Sequence, residues 1–230
     1  MRDKLLTAAA AIAGIMLVWN LKIILTVLPD EVAQGAIYRI MFFHIPGFFT
    51  AGVCYLVAML ASIYYLWKKD LRADALAMAA TEVALPFAAV NLITGMIWGR
   101  IIWGIWWAWD PRLTWALISW LVYFGYLMLR KAIDDPSERA NISAVANIFF
   151  FSSVAITWKA IVWWRTQHPG PVLSIRGADG KLDAGVERMI YQNWIPLLLL
   201  ATVFISIQFA QIALQNRTIQ IFTIRTIGCR

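Results

Sequence analysis

Six stretches of the chain stay apolar for about 20 residues, the length a helix needs to cross a hydrocarbon core, and short polar runs separate them. The pattern predicts spans at Leu5–Leu28, Pro46–Trp67, Ala75–Trp98, Leu113–Arg130, Ile142–Trp164 and Met189–Ala213. The expected fold class is therefore all-α: a polytopic membrane protein with six transmembrane helices, residues 1–230 forming one integral membrane domain. The first stretch exceeds the roughly 7–15 apolar residues of a signal peptide core and reads as a retained helix. Asn20 and Lys22 interrupt its far third, where a lysine can snorkel to the interface. Glu82, the one acid inside a span, falls near the opposite interface. No repeat, low-complexity tract or linker divides the chain, and the tail Asn216–Arg230 alternates only weakly.

The polar connectors set an orientation. With the N-terminus inside, the inner segments carry Arg2, Lys4, Lys68, Lys69, Arg72, Arg130, Lys131, Arg139, Arg217, Arg225 and Arg230. The outer ones carry Arg39, Arg100, Arg112, Arg165, Arg176, Lys181 and Arg188. The short loops KKDLRAD and RKAIDDPSERA decide the bias, which places both termini in the cytoplasm. Composition agrees with a membrane protein: 61% of residues are hydrophobic, 14% are charged, and mean hydropathy is +0.68. The net charge of +7 then reflects basic loops rather than nucleic-acid binding. Cys54 and Cys229 form neither a plausible disulfide nor a C-x-x-C-H site. A P-loop is absent, so the chain does not bind ATP through one of its own; a positioning or delivery role is the leading reading, and a catalytic one stays open beside it.

Three outer segments remain: Pro29–Ile45, the connector around Trp98–Thr114 (WGRIIWGIWWAWDPRLT), and Arg165–Arg188. Four of the thirteen tryptophans fall within Trp103–Trp109, and the protein's two histidines, His44 and His168, fall in the segments on either side. A lone histidine at an interface is usually just a polar residue among headgroups. Two on one face, each beside a proline (Pro46, Pro169), can fill both axial positions of a haem iron. Zinc is the weaker alternative, because it usually takes three or four protein ligands. A porphyrin also suits the tryptophans, whose indoles offer rigid stacking faces and an N–H that tolerates the interface. If Gly99–Trp109 is helical, a short helix in the membrane plane puts Arg100, Trp103, Trp106, Trp107 and Asp110 on one face. Trp98, Trp115 and Trp120 fit an ordinary aromatic belt. Asp110-Pro111 reads as the N-cap and first residue of helix four. Arg112, in the first turn, opposes the helix dipole and points to an anionic partner such as a propionate or lipid phosphate. Arg39 and Arg100 are weaker candidates for that role, and Lys159 is most simply a snorkelling lysine.

Trp103–Asp110, WGIWWAWD, resembles the WWD signature of haem-handling proteins in cytochrome c biogenesis. Six spans, one such loop and flanking outer histidines resemble the CcmC family in particular, as do Pro111-Arg112-Leu113-Thr114 and WWRTQH. The resemblance covers nearly the whole chain. It implies a protein of the bacterial inner membrane that binds haem b at the periplasmic face and presents it to the haem chaperone CcmE. It also implies the ABC transporter CcmAB and the small protein CcmD as partners. By position, His44 and His168 match the axial ligands. Trp103, Gly104, Trp106, Trp107, Trp109 and Asp110 match the WWD motif, with Arg112 following; the loop Val172–Glu187 matches no motif. Two other classes compete: a b-type electron-transfer cytochrome, which usually holds haem inside the bundle, and a transporter subunit exporting haem, which predicts broken helices near the midplane.

Overall fold

The computed structural model describes residues 1–170, 172–173 and 182–228, with side chains described as far as 215. Six helices dominate it: α1 (Arg2–Thr26), α2 (Met41–Lys68), α3 (Leu71–Ile102), α4 (Pro111–Lys131), α5 (Pro136–Trp163) and α6 (Ala184–Gly228). All six include a stretch long and apolar enough to cross a membrane. The sequence marks several starts. Asp70 accepts from Arg72 N at 2.8 Å, Asp110 from Leu113 N at 2.9 Å and Asp135 from Glu138 N at 2.7 Å. Each carboxylate satisfies an amide that no earlier turn can reach. Pro111 and Pro136 follow as first helical residues, where a missing N–H costs nothing.

Packing relies on small residues, since lipid supplies no hydrophobic drive between helices. Ala51, Ala58 and Ala61 of α2, Ala75, Ala79, Ala80 and Ala84 of α3, and Ala140 and Ala144 of α5 are buried. They let α2, α3 and α5 approach closely, and α1 packs along α6. At one end of the bundle Arg130 donates to both oxygens of Asp74 at 2.6 and 2.7 Å. Both residues are buried. Arg130, counted above among the loop cations, is thus a partner of the first turn of α3.

The other end holds both histidines, and three elements differ there from the sequence reading. First, α2 begins at Met41 and runs through Pro46. Pro46 cannot donate to the Phe42 carbonyl, and Asn193 Nδ2 takes that oxygen at 2.6 Å. Pro196 likewise frees the Gln192 carbonyl, which accepts from Asn20 Nδ2 at 3.2 Å. Second, α3 stops at Ile102, so the interfacial helix over Gly99–Trp109 does not form. Gly104 adopts φ +77°, a conformation that side chains rarely allow, and residues 103–110 run as an irregular connector. Third, α6 starts at Ala184 and continues to Gly228, beyond both ends of the span read at Met189–Ala213. Cys229 and residues 174–181 lie outside the described residues.

Candidate functional site

A cavity of about 650 Å³ opens among α2, α3, α4 and α5 at the histidine end, with His44, His168, Trp103, Trp107 and Arg112 in its wall. The two imidazole rings lie 6.4 Å apart, centre to centre, with 27° between their planes. His44 sits in the first turns of α2 and His168 in the connector after α5, both half-buried.

Hydrogen bonding fixes the tautomer of each ring. Thr94 Oγ1 donates to the Val90 carbonyl at 2.6 Å, so at 3.0 Å from His44 Nδ1 it can only accept. His44 Nδ1 therefore carries the proton. Asn91 Nδ2 stands 3.3 Å from Nδ1 and 3.2 Å from Nε2. A nitrogen so nearly equidistant lies along neither lone-pair direction, and it donates to the His44 carbonyl at 3.1 Å. The Nε2 lone pair stays open. His168 Nδ1 lies 2.8 Å from the Pro169 carbonyl, an acceptor only, so Nδ1 carries a proton and the Nε2 lone pair of the neutral ring is free. Burial first, and then the Arg112 cation, push the pKa of His168 down to about 4. Both imidazoles face the cavity region as neutral bases of the kind metals bind. Among the described residues no third His, Cys, Asp or Glu joins them in a metal-binding group.

The tryptophans divide. Trp103 folds back on the end of α3, its amide bonded to Gly99 O at 2.8 Å and its ring edge-on to Trp98 at 5.0 Å. A Cβ on Gly99 would come within 3.2 Å of that ring. Trp107 lines the cavity, and its Nε1 is buried with no hydrogen-bond partner among the described residues. Trp106 and Trp109 instead face outward, 57% and 77% exposed. Trp98, expected in the belt, lines the cavity and donates from Nε1 to Gln34 at 2.8 Å.

The arginines also separate. Arg112 donates to the Thr157 carbonyl at 2.6 Å and its guanidinium lies over the Phe48 ring at 4.5 Å. The described ion pairs are Arg2–Asp3, Arg39–Asp30 and Arg130–Asp74, so Arg112 lines the cavity without a carboxylate partner among the described residues. Arg39 binds the Ile24 and Leu28 carbonyls at 2.7 Å each, together with Asp30. It ties the end of α1 to the turn before α2. Arg100 donates to the Gly104 carbonyl. Neither lines the cavity. Asp110 caps α4 as expected, and its second oxygen accepts from Thr166 Oγ1 at 2.5 Å and Gln167 N at 3.1 Å.

Sequence reasoning missed Asn91, Thr94, Gly95 and Gln34. A signal was present: Asn91, Thr94, Gly95 and Trp98 recur at helical spacing, a polar or small stripe in an otherwise apolar span. Gly95 leaves room for the ring, since a Cβ there would stand 3.0 Å from His44 Cε1.

The family model of CcmC, heme exporter protein C, matches residues 1–226. The chain belongs to the CcmC family. It is 37% identical over 178 residues to the heme exporter protein C of Bradyrhizobium diazoefficiens, covering 76% of this chain and 64% of that protein. The Paracoccus denitrificans protein of the same name is 32% identical over 212 residues, 92% of this chain and 82% of its own length. That of Rhodobacter capsulatus is 31% identical over 194 residues, 83% and 76% of the two chains. The chain thus spans a little under two thirds of the Bradyrhizobium member and more of the other two.

Proposed function

We propose that this CcmC-family member holds haem b as cargo in the histidine-end cavity and delivers it to a membrane-anchored haem chaperone of the CcmE type for cytochrome c maturation. The observation that carries the reading is the separation of the two imidazoles. Two imidazoles on opposite sides of one metal ion, with bonds of about 2.0–2.1 Å, have ring centres about 6–6.5 Å apart, and those of His44 and His168 are 6.4 Å apart. The donor set fits as well. Two neutral imidazoles leave four equatorial positions, which porphyrin nitrogens supply. The cavity's volume lies within the range of cofactor sites.

Each wall residue then has a role. His44 and His168 bind iron through Nε2. Trp103 and Trp107 bound the porphyrin plane, and Arg112 receives a propionate. Haem brings an iron centre and a reactive vinyl edge; the protein's part is to bind, orient and shield them. Trp106, Trp109 and Gly104, with the rest of the WWD connector, present the outward side of the site to the chaperone. The site faces the periplasm across the inner membrane, both termini are cytoplasmic, and the transporter CcmAB and CcmD are partners in the same assembly. The family match, the loop charges and the tryptophan connector support these assignments.

The test is the absorption spectrum and haem content of the purified protein. Wild type is expected to show a low-spin bis-histidine haem, with His44→Ala and His168→Ala each losing it while still inserted. A low-spin spectrum surviving in the double mutant overturns the assignment.

A further inference from the structure

The two histidines are held in unlike ways. His44 lies within a regular helix, and its ring meets Asn91, Thr94 and Gly95 on the neighbouring α3. Rigid elements fix it from both sides. His168 lies in a connector. Among the described residues its ring bonds only to the carbonyl of Pro169, next to it in the chain, and its amide bonds to Thr166 Oγ1 at 3.1 Å.

Thr166 leads back to Asp110. The hydroxyl donates its proton to Asp110 Oδ2 at 2.5 Å while accepting from the His168 amide, and Gln167 N donates to the same carboxylate oxygen at 3.1 Å. Asp110 Oδ1 meanwhile caps α4. One carboxylate therefore ties the start of α4 to the turn that carries His168. Bonds to a charged acceptor are about twice as strong as neutral ones, yet these depend on a single side chain near the surface. Trp109, beside Asp110, and Trp163 and Trp164, shortly before Thr166, are all exposed, so no other described part of the chain covers the residues flanking the tie.

We propose that Asp110 and Thr166 form a latch that positions His168, making His168 the axial ligand that lets go when haem is passed on while His44 keeps hold. The inference rests on the reading that both histidines bind haem iron. In the release step only the iron–Nε2 bond of His168 breaks; its electron pair stays on nitrogen and nothing is oxidised or reduced. Asp110 and Thr166 act as positioning residues, through the backbone of 166–168 rather than by touching haem.

Thr166→Val keeps the shape of the side chain and the Asp110 cap but removes the donor. In the haem-free protein, amide hydrogen exchange over 164–170 should speed up. In the haem-loaded protein the spectrum should shift from low-spin toward high-spin and return on adding free imidazole. Transfer to apomyoglobin should accelerate by about 10–100-fold, the usual effect of losing a ligand's supporting hydrogen bond. Asp110→Asn, which retains a capping oxygen but turns a donor toward Gln167 N, should shift the same readouts in the same direction and by less. Wild-type spectrum, exchange and transfer rate in both variants would overturn the latch. A wild-type spectrum indifferent to His168→Ala would overturn the ligand reading itself, whatever the exchange data show.

Discussion

Asn193 Nδ2 donates to the Phe42 carbonyl at 2.6 Å, completing from α6 a hydrogen bond that Pro46 cannot make within α2. The pair holds the start of α2 two residues before His44. Asn193→Leu should therefore leave a buried carbonyl unpaired and lower stability by about 1–3 kcal/mol. Pro46→Ala returns the missing N–H, so in that background the same substitution should cost clearly less. Unfolding of the four proteins in detergent checks this. An equal loss in both backgrounds would assign the Asn193 effect to its bond with Asn20 instead.

Gly95→Ala separates helix stability from ligand placement. Alanine is favoured over glycine inside a helix by roughly 0.5–1 kcal/mol, yet the new methyl would meet His44 Cε1 at 3.0 Å. We expect thermal stability to hold while haem content falls and the low-spin band weakens. Unchanged haem content would show that the His44 ring has room to move aside.

Arg112→Gln should remove recognition of the propionates and leave the histidines in place. Wild type is expected to prefer haem over haem dimethyl ester by about tenfold, on the order of one charged hydrogen bond. The variant is expected to bind the two alike. Competition between them for the apoprotein reads the ratio, and a preserved preference would place the carboxylate contact elsewhere.

The exposures divide the tryptophans into two pairs with different expected losses. Trp103→Ala with Trp107→Ala should lower haem retained, each stacking contact contributing about 0.5–1.5 kcal/mol beyond area burial. Trp106→Ala with Trp109→Ala should spare retained haem and lower covalent haem on the chaperone. Both quantities come from the same membranes. Equal losses in the two pairs would mean that the connector works as a single pocket.

Orientation is checked by single cysteines in a background with Cys54 and Cys229 replaced. Positions 106 and 167 should react from the periplasm with an impermeant thiol reagent, and 134 should not. Labelling at 134 alone would invert the protein and remove the site from the compartment of the chaperone.

Residue composition alone determined the six spans, because a segment's partition into lipid depends on its own side chains and length. The cap at Asp110 was legible for a like reason, as an N-cap bonds within three residues of itself; the matching cap at Asp135 starts α5 six residues before the span read at Ile142–Trp164. So were the histidine pair and the tryptophan cluster, as inventory. Only the tertiary structure decided which of them meet. Gly104 ends the run of helix, so Trp103 and Trp107 turn to the cavity while Trp106 and Trp109 turn away, where a continuous helix would have grouped Trp106 with the first two. Arg39 and Arg130 were counted as loop charges, yet one clamps carbonyls at the end of α1 and the other pairs with Asp74 across two helices. Asn91 and Thr94 reach His44 from a span that looked merely apolar. Such contacts join residues far apart in the chain, and they depend on how helices rotate and close on one another through small side chains, which no local pattern of hydrophobic and polar positions encodes.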